Sequence, residues 1–297
     1  MKNPEYIFGS IALIFDIDGV LVEPGTLNVP EEVKMLLLYT PEFFVTVASG
    51  RSLGWCWTIG EQIQSSGVFA ENGLVFQFHK GEMSKDWQIS RVLKTDINTL
   101  KELLELKTIE GTHGRITIRI GNQEYSIFVE VGKKEVLTLG TLEVERWNNE
   151  GHSLTPQELK EKCAAIISKN KLRIGILGPY SDGHIDFQPV ADDGQLLDKR
   201  IIPGILKFTF PKKFKKIVAL VDGQNDISLA LQPDVFPVTF ANGIDAIKQI
   251  VAARKGLIID APGYAGGCAE ALRILRKNLL GITSLDLQEI NASTILL

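Results

Sequence analysis

The sequence predicts an α/β protein: a Rossmann-like, doubly wound parallel sheet with an inserted α+β section. Three observations lead there. Uninterrupted runs of β-branched and aromatic residues, such as "IALIF", "EFFVTVAS" and "KKIVAL", are the mark of strands buried on both faces. Apolar residues at helical spacing follow them, as in "VPEEVKMLLLY" and "IDAIKQIVAAR". In the middle of the chain the texture changes: "HGRITIRIGNQEYSIFVEV" alternates polar and apolar residues on both sides of its "GNQ" turn, the period of an antiparallel hairpin with one wet face.

Taken in order, "IALIF" is the first strand and Gly19 ends its run. Pro30 lies near a first helical turn that carries Glu31 and Glu32, where the helix dipole favours acids, and this helix returns the chain to "EFFVTVAS". The result is a βαβ unit. After Ser49-Gly50-Arg51 the segment through Ile63 reads as a helix, "GVFAENG" as a third strand and "LVFQFHKG" as a short alternating strand. From about Ser84 the half-exposed sheet begins. Thr155 and Glu158 have the spacing of a capping box and start a helix, and "RIGILGPYSDGHIDFQPV" gives two strands around Ser181-Asp182-Gly183. The parallel texture resumes with "KKIVALVDGQNDISLAL", "DVFPVTFAN", "IDAIKQIVAAR", "GLIIDA" and "GGCAEALRIL". Residues 1–83 and 190–297 are therefore expected to build one core, with 84–189 inserted as an α+β domain. The final "SLDLQEINASTILL" has no clear assignment.

At 297 residues, 44% hydrophobic and 23% charged, the chain can bury a large core and form more than one domain. A net charge of −4 with no dense Lys and Arg cluster argues against a nucleic-acid partner. Cys56, Cys163 and Cys268 are odd in number and widely spaced, which suits reduced thiols. The first apolar run is cut by Asp16 before it reaches the length of a signal peptide or a membrane span. A cytoplasmic protein, monomer or homodimer, with no membrane partner is the expectation.

Polar residues then gather at one predicted edge. Asp16 and Asp18, Ser49-Gly50-Arg51, and Asp222 with Asp226 each follow a buried strand, and Lys199 stands in the approach to the last of these strands. In open parallel sheets that edge is where ligands bind. Carboxylates converging there repel one another unless a cation sits among them, and Mg²⁺ suits a few carboxylates, waters and a substrate phosphate.

"DIDGV", "ASGR" and "DGQND", in this order and with a large insertion between the second motif and the lysine, resemble the haloacid dehalogenase-like (HAD) phosphatase superfamily over most of the chain. The insertion point, "AENG" and "DGQND" are similar to the branch that holds Cof-type, sucrose-phosphate, mannosyl-phosphoglycerate and phosphoglycolate phosphatases. "VFAENGLV" also resembles phosphomannomutases of that branch. The resemblance implies Asp16 as nucleophile and Asp18 as general acid and base. It implies Mg²⁺ held by the Asp16 carboxylate, the Asp18 backbone carbonyl and Asp222, with Asp226 as ligand or close support. Ser49 would hydrogen-bond a phosphoryl oxygen and Lys199 would neutralise charge, with Gly50 and Asn225 beside the substrate. The chain departs from the family pattern at Val221, where glycine is normal, and at Arg200, which stands where glycine usually follows the lysine; Lys207 is the alternative lysine.

Substrate choice is expected in the inserted domain. Alternation places His113, Arg115, Thr117 and Arg119 on one face, opposite Ile116, Ile118 and Ile120, and makes Arg115 and Arg119 candidates for an anionic or hydroxyl-rich substrate. His152 and His184 read as surface loop residues, and Trp55 and Trp57 as packing. The expected partner is a small phosphorylated metabolite. A phosphomannomutase-like mutase and a non-catalytic phosphometabolite-binding regulator are the alternatives; the presence of Asp16, Asp18 and Asp222 weakens the second.

Overall fold

A computed structural model describes residues 9–78, 87–88, 94–108, 115–130, 133, 135–140, 154–180 and 183–281. The chain forms two compact units, one of Met1–Val47, Ile59–Ser66 and Leu206–Leu297, the other of Ala48–Thr58 and Gly67–Ile205. We keep as a proposal the topological division into 1–83 with 190–297, and 84–189.

In the first unit β1 (Ile11–Phe15), β2 (Phe43–Ala48), β12 (Lys216–Leu220), β13 (Val235–Phe240) and β14 (Leu257–Ile259) form a parallel sheet in the order β14-β13-β12-β1-β2. Every residue of β1 and β2 is buried, which is why these strands read as apolar runs, broken only by Thr46, whose Oγ1 donates to Leu13 O at 2.9 Å. Helices flank the sheet. Pro30 caps α1 (Glu31–Leu38), whose Val33, Leu36 and Leu37 are buried, and α1 packs on α8 (Cys268–Leu275). α5 (Ile202–Thr209) and the short α6 (Ile227–Ala230) flank β12 in sequence, and α7 (Asp245–Ala253) packs against β13 and β14. α2 (Leu53–Gln62) carries the chain from the second unit into the first.

The second unit contains β3 (Gly67–Ala70), β4 (Val75–Phe78) and β5 (Trp87–Gln88), paired antiparallel in that order, and a six-stranded antiparallel sheet. That sheet runs β10-β11-β9-β8-β7-β6, built from β6 (Lys107–Thr108), β7 (Arg115–Ile120), β8 (Gln123–Val129), β9 (Leu137–Gly140), β10 (Ile174–Leu177) and β11 (His184–Pro189). Ile120 pairs with Gln123 across a two-residue turn, so the register sets Arg119 opposite Glu124 and Thr117 opposite Ser126. The expected alternation holds: Ile116, Ile118, Ile127, Leu137, Leu139, Ile185 and Phe187 form one core with α3 (Lys94–Leu103) and α4 (Pro156–Lys169). Thr155 starts α4 as its spacing predicts. Its Oγ1 accepts the Glu158 N–H at 3.2 Å, and Glu158 Oε2 accepts the Thr155 N–H at 2.8 Å.

All three cysteines are buried and none is in a disulfide. No helix among the described residues is long and apolar enough to cross a membrane. His113, His152, Ser181, Asp182 and the "SLDLQEINASTILL" segment lie outside the described residues.

Candidate functional site

In the first unit β1 and β12 are parallel neighbours, with Phe15 opposite Leu220. From that rim the chain departs in opposite directions, β1 toward β2 and β12 toward β13, which makes it a switch point where loops diverge and leave a crevice. Asp16 is the first residue past β1; its N–H still donates to Leu220 O at 3.0 Å, and its side chain is buried. The chain then doubles back. The Leu21 and Val22 N–H groups both donate to Ile17 O at 3.0 Å, and the Gly19 N–H donates to Val22 O at 2.8 Å. Asp18 sits half-buried on this turn and bridges to Val22.

Gly19 is required for two reasons. Its φ is +83°, and a Cβ there would lie 2.0 Å from Asp222 Oδ2. Only a bare backbone lets the Asp222 carboxylate approach the turn after β1. Past β12, Val221 keeps an extended course, its N–H donating to Val238 O at 3.0 Å, so a buried valine is accommodated where the family resemblance led us to expect glycine. Asp226 Oδ2 accepts the N–H groups of Asp222 at 3.2 Å and Gly223 at 3.1 Å, which closes the "DGQND" turn. Asn225 is half-buried on the same turn.

One carboxylate oxygen from each of Asp16, Asp222 and Asp226 lies within 4.8 Å of the other two. Three anionic oxygen donors at that spacing suit a hard divalent cation such as Mg²⁺, with waters and a phosphate completing its shell.

In the second unit three short segments adjoin one another. Ser49 is buried; its N–H donates to Phe69 O at 2.9 Å and its Oγ accepts the Arg51 N–H at 3.3 Å. The Glu71–Gly73 turn follows. Its Asn72 N–H donates to Ser49 O and its Glu71 N–H to Arg51 O, both at 2.9 Å. Glu71 and Asn72 have φ of +50° and +57°, and a Cβ on Gly73 would lie 2.9 Å from Ile202 Cγ1, so this turn packs closely against the turn of Lys199–Ile201. Lys199 itself is fully buried, and Asp198 caps its turn by accepting the Arg200 N–H at 3.0 Å. By contrast Lys207, in the last turn of α5, lies on the surface and pairs with Asp234. Arg51 stacks 4.6 Å over Trp55, and Trp57 Nε1 donates to Gln77 at 2.6 Å.

Sequence reading missed a second polar group in this unit. Asp186, buried on β11, takes hydrogen bonds from Thr138 Oγ1 and, at 3.3 Å, from Tyr180 Oη; Lys133 Nζ lies 3.6 Å away. Gln188 beside it on the same strand is fully buried, with neither amide atom hydrogen-bonded among the described residues. Glu71 Oε2 accepts the N–H groups of Glu135 at 2.6 Å and Val136 at 2.9 Å. The candidate cation Arg119, its side chain 40% exposed, bridges Glu124 at 2.6 Å and Glu105 at 3.0 Å; the Glu124 hydrogen bond, then the charge of Glu105, holds its guanidinium above the ordinary range. Arg115 pairs by its backbone with Phe128, and its side chain lies outside the described residues.

No protein-family model and no curated protein matches this sequence. Solved structures match along nearly its whole length. The sucrose-phosphatase of Synechocystis sp. PCC6803, solved with sucrose and phosphate, is 14% identical, with 89% of this chain and 97% of that one covered and a TM-score of 0.55. BT1666 of Bacteroides thetaiotaomicron, among phosphatases of the HAD superfamily, is 13% identical over 92% of this chain and 97% of that one, TM-score 0.57. The HAD subclass IIB sugar phosphatase BT4131 is 17% identical, covering 92% and 99%, also at TM-score 0.57. This chain has the HAD-like fold. At such identities the likeness is one of fold.

Proposed function

We propose that the protein is a Mg²⁺-dependent phosphomonoesterase that hydrolyses a small phosphorylated metabolite, a sugar phosphate or a phosphoglycolate-like compound, through an aspartyl phosphate on Asp16. The observation that carries this reading is the meeting of Asp16, Asp222 and Asp226 oxygens within 4.8 Å at the strand rim. Asp16, Asp222 and the Asp18 backbone carbonyl would hold the ion, with Asp226 bracing the Asp222 turn. When bound, Mg²⁺ would offset the carboxylate charge and that of the transferring group.

The protein's own residues divide the rest. An Asp16 oxygen attacks phosphorus as the bond from phosphorus to the leaving oxygen breaks. Asp18 gives its proton to that oxygen, and an alcohol departs. Asp18 then takes a proton from water, whose oxygen attacks the phosphorus and releases inorganic phosphate and free Asp16. Asp18 suits this work because it is half-buried on a tight turn two residues from the nucleophile. Ser49 and Lys199 take the roles that the family resemblance implies, a hydrogen bond to a phosphoryl oxygen and a compensating positive charge; Gly50 and Asn225 are proposed beside the substrate. That structural neighbours include sugar and sucrose phosphatases supports the same class.

Hydrolysis of a generic aryl phosphate with and without Mg²⁺ tests the class, and a panel of phosphorylated metabolites then tests the substrate. Turnover that is unchanged by EDTA, or that survives Asp16→Asn, would refute it.

A further inference from the structure

One amide in the first unit is placed with more constraint than a loop residue needs. Asn242 follows β13, in the "ANG" that precedes α7. Its Nδ2 donates to Asp222 Oδ2 at 2.9 Å and to Gly19 O at 3.0 Å. Its Oδ1 accepts the Gly263 N–H at 2.9 Å. The side chain therefore spends three hydrogen bonds on three loops, those after β1, β12 and β14, while its own backbone belongs to the loop after β13.

The surrounding glycines sharpen the point. A Cβ on Gly263 would lie 2.7 Å from Gly19 O and 2.8 Å from Val20 Cα, and a Cβ on Gly19 would meet Asp222 Oδ2. The turn after β1 is thus packed between Gly263 and the Asp222 carboxylate, with one amide bonded to all three. The backbone reinforces the arrangement, since the Ile244 N–H donates to Asp222 O at 3.0 Å and the Ala241 N–H to Ala261 O at 3.2 Å.

We infer that Asn242 is a positioning residue for the acidic cluster: by donating to one Asp222 oxygen and to the Asp16–Asp18 turn at once, it holds the cation-binding carboxylates at their spacing. The inference rests on the proposed Mg²⁺ site. An oriented carboxylate loses less freedom when a cation binds, and outer groups that orient ligands typically raise metal affinity by about 10- to 100-fold. Asn242 touches no reacting atom. Its substitution should weaken the ion's hold and leave the chemistry intact once the ion is bound.

The test is calorimetric titration of Mg²⁺ into wild-type protein and Asn242→Ala, with circular dichroism and thermal unfolding of both metal-free proteins. Asn242→Ala is expected to raise the Mg²⁺ Kd by about 10- to 100-fold. In turnover assays the concentration of Mg²⁺ giving half-activation should rise in parallel, the lost rate returning as Mg²⁺ is raised and substrate KM moving little. If the alanine variant does not fold, Asn242→Ser, whose hydroxyl can still donate to one of the two oxygens, is titrated instead, with an intermediate loss expected. A folded variant with wild-type Kd, or one that loses thermal stability alone, overturns the inference and leaves the phosphatase reading standing. Wild-type protein that neither binds Mg²⁺ nor hydrolyses phosphomonoesters overturns both.

Discussion

Two regions of the molecule bury acidic side chains, and they compose the surrounding charge differently. At the rim of the parallel sheet, Asp16, Asp222 and Asp226 bring like charge together, three carboxylates with oxygens within 4.8 Å. On the antiparallel sheet Asp186 sits among Lys133, Thr138 and Tyr180, and Glu71 is caught by two backbone N–H groups. The second arrangement keeps its acids apart and meets each with donors or a cation, which reads as architecture, whereas at the rim N–H groups and an amide hold carboxylates against one another. Clustered carboxylates raise one another's energy, an expense that a fold bears where a cation is to be bound. On the function proposed above, the difference separates a place built to hold an ion from a place built to hold itself.

The largest effect should come from the nucleophile. Asp16→Asn keeps size and shape but removes the attacking charge, so kcat against an aryl phosphate should fall by roughly a thousandfold or more, with an unchanged circular dichroism spectrum. A modest loss would mean that the rim cluster is architecture too, and the contrast between the regions would fail.

Next in size is the compensated cluster. The side chains of Lys133 and Asp186 are only 3% and 7% exposed. Lys133→Met leaves Asp186 without its charged neighbour, and removing one partner of a buried pair costs about 3–5 kcal/mol. Urea unfolding measures this. Pairing it with Asp186→Leu should recover part of the loss, because the buried carboxylate is then gone and only the partly exposed Glu130, 2.9 Å from Lys133 Nζ, loses its cation. Equal destabilisation by the single and double changes would show that the ion pair is incidental.

Ligand linkage reads the rim directly. An ion that binds only the folded chain stabilises it by about 2.7 kcal/mol at one hundred times its Kd. Mg²⁺ should therefore raise the Tm of the wild-type protein. Asp222→Asn, which removes one of the three clustered carboxylates, should abolish most of that rise, whereas Lys133→Met should keep it in full. If both variants respond alike, the ion's effect belongs to the surface at large.

Much of this contrast was legible in the sequence, and the part that was not has a physical reason. The parallel strands announce themselves because burial on both faces leaves "IALIF" wholly apolar and "FFVTVA" with a single polar residue, Thr46, whose hydroxyl donates to Leu13 O. Asp16 and Asp222 stand out for the same reason, as charges placed at the end of apolar runs. The capping box at Thr155 is a local pattern and reads locally. Asn242 stayed hidden because Asn-Gly after a strand is ordinary turn chemistry, and its partners come from loops far away in sequence. Lys133 and Asp186 are likewise joined only by tertiary packing. Arg119 shows the reverse limit: alternation gives its face, but the hairpin register decides that Glu124 stands opposite and neutralises it.

The smallest predicted effect concerns a group that avoids charge altogether. Cys163 lies in the core of the antiparallel domain, and burial pushes its thiol from 9.0 up to about 12. Cys268, in the first unit, is raised by burial as well. With the folded value above the unfolded one, the unfolded chain releases its proton first as pH rises. The neutral thiol's contribution is therefore whole below about pH 9 and drains away between about 9 and 12. Cys163→Ala removes that linkage while leaving Cys268 and every other titrating group in place. Urea midpoints at pH 8 and pH 10 should show the wild-type protein losing about 1 kcal/mol more than the variant over that interval. Parallel losses would mean that the thiol ionises as readily in the folded domain as in the unfolded chain, and that this core admits charge in the way the rim of the parallel sheet does.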